Sequence, residues 1–338
     1  MAATAASAGG LVGYPQVWWV RVADGAGGCW GGGMGDVKLT RQLLREGYES
    51  SAIAGRVRRG ELFRLRRGAY ATDEVAGRES DLRLIEATIS QADTDVVISH
   101  LSAAAVHGLP YYRVRPHRVH LTRPGGTSGG NIRGPVHVHV APLSAADRTM
   151  IDGLPVTSLA RTTVDVARTL GFRRGVAVAD AALAAGMSPD LLLQTVDTLA
   201  GFRGIAMARR VAWFADGRSE SAGESESRAV LADAGVPEPD LQYEVFDAGE
   251  LVARCDYVWR EHRTLGEFDG LVKYGRLLKP GQTAADVVVA EKLREDRLRD
   301  LGWQVVRWIY ADLAQPQPLS TRIRRAFRRA SLSTNAAV

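Results

Sequence analysis

The sequence predicts an α+β protein built from several units, on three observations. At 338 residues the chain has room for two or three domains of about 150 residues each. Residues 37–71 run short helix, second helix, tight strand pair, whereas the last third mixes strands with flanking helices. The polar stretch 216–223 separates that last third from what precedes it. The expected divisions are a disordered leader at 1–33, then units at 34–76, 77–217 and 218–332. No apolar run reaches the roughly 18 residues a membrane helix needs, so a helical membrane protein is excluded and no membrane partner is expected. Two cysteines, Cys29 and Cys255, cannot build a disulfide framework or a four-cysteine zinc site, which fits a reducing cytoplasm.

Residues 1–33 mix Ala, Gly and Trp without helical or strand period, and they lack the charged end, apolar centre and cleavage site of a signal peptide. Patterning begins after Met34, which makes Met34 an alternative start to Met1. Leu39, Leu43 and Leu44 then form an apolar stripe ending at Gly47. Ser50 or Ser51 can cap a second helix in which Ile53 and Val57 share a face, and Gly60 stops it. Phe63 and Leu65 alternate with Arg64 and Arg66, Arg67-Gly68 turns the chain, and 69–71 returns as a hairpin. Helix, helix, hairpin is the order of a winged helix-turn-helix. Nine basic residues between Lys38 and Arg67 face only Glu46, Glu49 and Glu61. Arg56, Arg58 and Arg59 on the second helix and Arg64, Arg66 and Arg67 on the wing are the expected DNA-binding residues, with the helix in the major groove and the wing along the backbone. A solvated arginine-rich face is the plainer alternative.

The middle of the chain reads as an α+β scaffold. Helices are expected near 79–91 and 99–108, strands at 118–123 and 136–140 across a glycine-rich loop at 125–130, and helices at 158–170, 174–186, 189–200 and 203–215. Six of the seven histidines lie here. His137 and His139 share a strand face and His120 can stand opposite, a conceivable metal cluster, although solvated or core-edge histidines explain the pattern more simply. The blocks "LTRQLLREGYESSAIAGRVRRGELFRLRRGAYA", "ISHLSAAAVHGLP", "VHLTRP" and "DGLPVTSLARTTVDVAR" resemble the AbiEi-type abortive-infection antitoxins over roughly residues 37–200. The resemblance implies a winged helix that binds promoter DNA, a middle domain that serves regulation or binds a toxin protein, and no catalytic residue in either.

The last third reads helix (222–234), strands (241–247, 251–259, 263–269), helix (285–300), strand (303–309) and a basic helix near 319–330, in which Leu319, Ile323 and Phe327 form the apolar stripe. Across a turn at Glu261-His262, Asp256 falls opposite Glu267, and Asp269 lies two residues further on. Three acids on one face repel unless a cation joins them, and carboxylate oxygens suit Mg²⁺ or Mn²⁺, which engages phosphate. Glu224 can add a fourth carboxylate or complete a capping box with Ser221, while Lys273 and Lys292 can orient water or steady charge on phosphate. Together with "GEFDG", "EKLREDRLRDLGWQVVRW" and "GESESR", this order resembles the PD-(D/E)XK restriction-endonuclease-like superfamily and its Vsr-like branch. The resemblance implies Asp256 and Glu267 as metal ligands and Glu224 as the first-helix acid; Asp269 takes the position usually held by lysine, so activity would depend on Lys273 or Lys292 substituting. The leading expectation is a DNA-binding protein with a metal-dependent, phosphodiester-hydrolysing carboxyl domain, in phage defence or a toxin–antitoxin setting. The alternative is an AbiEi-like antitoxin and repressor whose nuclease fold is inactive.

Overall fold

The computed structural model describes residues 37–92, 95–110, 118–126, 129–270 and 284–336; the leader, Cys29, Met34 and Lys273 lie outside them. The described chain is a mixture of α and β with three separate sheets. None of its helices is long and apolar enough to cross a membrane.

The first sheet is small. β1 (Val37–Leu39), β3 (Ala69–Ala71) and β2 (Phe63–Arg66) lie antiparallel in that order, with α1 (Thr40–Arg45) and α2 (Ser50–Arg58) between β1 and β2. Val37 and Leu39, read from the sequence as the start of the first helix with Leu39 in its apolar stripe, form the outer strand instead, with Lys38 opposite Tyr70. The helices close on the sheet through Leu43, Ile53, Leu62 and Tyr70. Gly60 (φ +72°) ends α2 and Gly68 (φ +79°) turns the hairpin, both in the left-handed region that a side chain disfavours. Helix α3 (Gly77–Ile89) backs this sheet with Ala87, which joins Val37, Leu39 and Ala69. One residue pair back, Ile85 enters the core of the next sheet.

That sheet has six strands in the order β6-β7-β5-β4-β9-β8, with helix α4 (His100–Val106) following β4 (Val97–Ile98). β5 (Val119–Pro124) and β7 (Val136–Ala141) are parallel neighbours. The glycine-rich segment is more than a loop, because β6 (Gly129–Arg133) pairs antiparallel with β7 and leaves β5 and β7 running the same way. β8 (Arg148–Ile151) and β9 (Leu154–Thr157) form a hairpin that sequence reading passed over. Four helices follow: α5 (Leu159–Leu170), α6 (Phe172–Ala184), α7 (Pro189–Thr198) and α8 (Ile205–Phe214). They share a core that includes Val164, Val176, Ala179 and Val211.

The last sheet has the order β10-β11-β12-β13, from β10 (Asp240–Asp247), β11 (Glu250–Trp259), β12 (Thr264–Phe268) and β13 (Gln304–Trp308). β12 and β13 are parallel and the other pairs antiparallel. On one face Tyr257, Trp259 and Trp308 pack with Val230 of α9 (Ala222–Asp233) and with Leu319, Ile323 and Phe327 of the closing helix α12 (Pro316–Ala336); the short α11 (Tyr310–Leu313) precedes α12. On the other, Val258 and Leu265 meet Leu298 of α10 (Ala284–Asp300). Only hydrogen fits at Gly266, since a Cβ there would come 2.7 Å from the Trp308 ring.

One buried ion pair crosses the polar boundary. Arg228 of α9 donates to Asp180 of α6 at 2.8 Å and to the Phe214 carbonyl at 2.8 Å, while the Asp216 amide donates to the other Asp180 oxygen at 2.8 Å.

Candidate nucleic-acid interface

The six arginines expected to meet DNA lie on α2, on the turn after it and on the hairpin, but they do not stand equally ready. Ile53 turns inward, and the last turn of α2 leads into Arg59, so Arg56, Arg58 and Arg59 add positive charge at the helix end where the macrodipole is negative. Glu61 then collects two of them: Arg56 Nε donates to it at 3.0 Å and Arg59 Nε at 2.5 Å. Arg59 first, then Arg56, holds the Glu61 carboxyl below its usual range. Arg56 also sits 5.0 Å from the Tyr48 ring centre. Arg66 turns away from solvent and donates to Thr88 Oγ1 of α3 at 2.7 Å. Arg58, Arg64 and Arg67 are exposed and carry no ion pair among the described residues; Arg64 lies over Tyr70. The ready part of the face is therefore Arg58 with Arg64 and Arg67, and Arg59 stands beside it at the cost of its contact with Glu61.

The acids of the last sheet are placed differently from expectation. The register Tyr257↔Gly266, Val258↔Leu265 is the one anticipated, and the paired ladder ends there, one position short of Asp256 and Glu267. Their side chains nonetheless take separate partners. Arg294 of α10 donates to one Glu267 oxygen at 2.8 Å, and Arg307, its neighbour on β13, donates to the other at 2.7 Å. Glu291 and Glu295 complete this network. Burial pushes Glu267 up, but the two arginines outweigh it and hold its carboxyl below the usual range. Asp256 turns one oxygen onto the Phe268 amide at 2.7 Å and has Glu224 as its electrostatic neighbour. Glu224 forms the capping contact with Ser221, and its oxygens accept from the Glu220 amide, Ser221 Oγ and Gln242 Nε2 at 2.8, 2.8 and 3.1 Å. Burial first, and Asp256 second, push the Glu224 carboxyl up to about 7.

Among the described residues the oxygens of Asp256, Glu267 and Asp269 are not grouped closely enough to hold one ion, and two features set Asp256 and Glu267 apart. The parallel strand β13 delivers Arg307 beside Glu267. The alternation of β11 also slips: Cys255 and Val258 both belong to the cluster that Leu298 of α10 joins, although they are three residues apart. Gln242, at φ +54°, lies between the pairs Leu241↔Tyr257 and Tyr243↔Cys255, which keep one register while the side chains change face. Asp269 is half-buried, its amide bonded to the Trp308 carbonyl, and Lys292 is exposed on α10. Buried Cys255, its thiol pushed up to about 12 by burial and then Glu267, points its sulfur at Glu267 from 3.7 Å. Sequence reasoning missed the Arg294–Glu267–Arg307 lock; the Glu291/Arg294 spacing of three along α10 was its only local sign. Among the described residues the donor atoms that do converge belong to His100, His120 and His139 of the middle unit.

In comparison with known proteins, the family model of the AbiEi antitoxin C-terminal domain matches residues 97–212. Two proteins of Mycobacterium tuberculosis are similar over most of the chain: the uncharacterized protein MT2308 of strain CDC 1551 / Oshkosh and the uncharacterized protein Rv2248 of strain ATCC 25618 / H37Rv. Each is 31% identical over 281 residues, which is 82% of this chain and 96% of the relative.

Proposed function

Since the chain belongs to the family of the mycobacterial proteins MT2308 and Rv2248 and matches the AbiEi antitoxin C-terminal domain through its middle, we propose that it is a DNA-binding regulator of the antitoxin type. In this reading α2 and the β2–β3 hairpin hold operator DNA, the middle unit receives a toxin protein, and the last sheet is a folded platform without hydrolytic activity. The observation that carries it is the exposed set Arg58, Arg64 and Arg67 on a helix and hairpin, with no carboxylate among the described residues drawn onto them. Arginine forks of this kind suit phosphate oxygens.

The test is fluorescence anisotropy with a duplex from upstream of the protein's own gene, over a salt series. Each phosphate contact contributes a slope of roughly 0.9 in log K against log salt, so Arg58→Ala, Arg64→Ala and Arg67→Ala together lower the slope by about 2.7. An unchanged affinity and slope in the triple variant defeats the reading. Co-purification of a neighbouring gene product with the wild type tests the toxin partner.

A second reading keeps the last sheet as a Mg²⁺- or Mn²⁺-dependent phosphodiesterase, and the nearness of Glu224 to Asp256 favours it. Two carboxylates suffice for a Mg²⁺ that retains its waters. Against it, the oxygens of Glu224 already accept three hydrogen bonds and Glu267 is neutralised by two arginines. DNA left intact by the wild type with either ion, or cut equally by Asp256→Ala, removes this reading.

A further inference from the structure

Four histidines meet on the six-stranded sheet. His120 lies on β5 and His137 and His139 on β7, with His120 paired to His137 and Thr122 to His139. His100 opens α4 at φ +51°, in the left-handed region that is uncommon outside glycine. Its ring stacks on His139 at 3.8 Å between centroids, and His137 lies at 3.9 Å from His139. One donor nitrogen from each of His100, His120 and His139 lies within 4.8 Å of the other two. His120 Nδ1 and His139 Nε2 are 3.0 Å apart. Two nitrogens on a tetrahedral zinc, each about 2.0–2.1 Å from the ion, stand about 3.3 Å apart.

A hydrogen bond between His120 and His139 accounts for only two of the four rings. His100 is oriented separately: Arg168 Nη2 contacts its Nε2 at 3.2 Å, and since arginine only donates, Nδ1 carries the proton toward Ser99 Oγ at 3.0 Å. Thr122 Oγ1 donates to that same Ser99 oxygen at 2.8 Å, so β5 braces the ring from behind. Hydrogen bonds of this sort to the second ring nitrogen are what orient metal-binding imidazoles. Burial first, then neighbouring positive charge, holds all four below the ordinary histidine range, His120 at about 4 and His139 at about 2.

We propose that His100, His120 and His139 are the ligands of a divalent transition ion of the zinc class, with a fourth position open to water or to His137. Imidazole nitrogens without a carboxylate among them select zinc, cobalt, nickel or copper over magnesium and calcium. Access is from the exposed edge strand β6, where Gly130 pairs with His139; a Cβ there would come 3.4 Å from His137 Nε2. Ligation by His100 displaces one of its two present contacts. Arg168 still holds Asp165 at 2.7 Å, so no bare charge is left behind. The ion clamps α4 to β5 and β7.

The test uses the untagged full-length protein, stripped with chelator and titrated with Co²⁺ and then Zn²⁺. One Co²⁺ per chain with the visible absorption of tetrahedral coordination, displaced by Zn²⁺, is the expected result. His120→Asn with His139→Asn lowers the affinity at least tenfold, while His262→Asn, in another unit, changes nothing. X-ray absorption of the Zn²⁺-loaded wild type counts imidazole neighbours without any substitution, and three are expected. Less than half an equivalent bound by the wild type, fewer than two imidazoles around the zinc, or equal binding by the double variant overturns the site.

Discussion

Replacing Asp180 by alanine strikes a buried ion pair between the last unit and the helical layer. Asp180 is fully buried, and its two oxygens satisfy Arg228 and the Asp216 amide. Arg228 is 2% exposed. Without Asp180 its guanidinium keeps the Phe214 carbonyl and the face of the Phe214 ring at 4.6 Å, but its nearest remaining acid is exposed Glu238 at 3.6 Å. Breaking a buried pair by removing one partner costs about 3–5 kcal/mol. The contacts that survive place this case at the lower end, at about 3 kcal/mol, to which the orphaned Asp216 amide adds about 1 kcal/mol. Urea unfolding followed by circular dichroism and tryptophan fluorescence reads the loss. Because Ala229 of α9 also packs in the core that α6 shares, both probes are expected to shift together. The double variant Asp180→Leu with Arg228→Met removes both charges and recovers most of the loss. A loss below about 1 kcal/mol in Asp180→Ala, or a double variant no better than the single one, refutes the reasoning.

Two further outcomes follow from the same geometry. Glu224 has its folded carboxyl pushed up to about 7 from an ordinary 4.5, so the fold favours the protonated form, and stability present at pH 4 declines as pH rises through 7. Glu224→Gln removes that decline and is more stable than wild type at pH 8 by on the order of 3 kcal/mol, with the two equal near pH 4; parallel stability profiles tell against it. Glu61→Ala releases Arg56 and Arg59, so the operator duplex binds more tightly and the salt slope steepens by about 1; weaker binding shows instead that Glu61 orients the two arginines for DNA.

Much of the fold is legible in the sequence where residues alternate or repeat locally. The helices from Leu159 to Asp233 and the strands from Asp240 to Phe268 fall within about three residues of their reading, because glycines and apolar stripes punctuate them. The β8–β9 hairpin was equally visible: Asp152-Gly153, with φ +49° and +77°, is a two-residue turn of the kind that favours Asp-Gly. β6 was hidden because glycine is a poor strand former, and only pairing with β7 holds it extended. The arginines of the first unit are visible as composition, but not Glu61 reaching back over two of them. The acidic site misleads for a deeper reason. Face assignment by alternation assumes a regular pleat, and at Asp256 the side chains of β11 change face although the pairing register is kept. The partner that neutralises Glu267 comes from a parallel strand 40 residues later, which no local pattern announces.

Helix α3 gives Ala87 to the small sheet and Ile85 to the large one, while Arg66 and the Gln91 side chain tie hairpin and helix end together. A single rigid rod thus belongs to two interiors at once. Cutting the connection between β3 and α3 with a protease would leave the severed pieces clinging to each other. Any tilt that DNA imposes on the hairpin must be carried, undamped by a hinge, into the strands behind it.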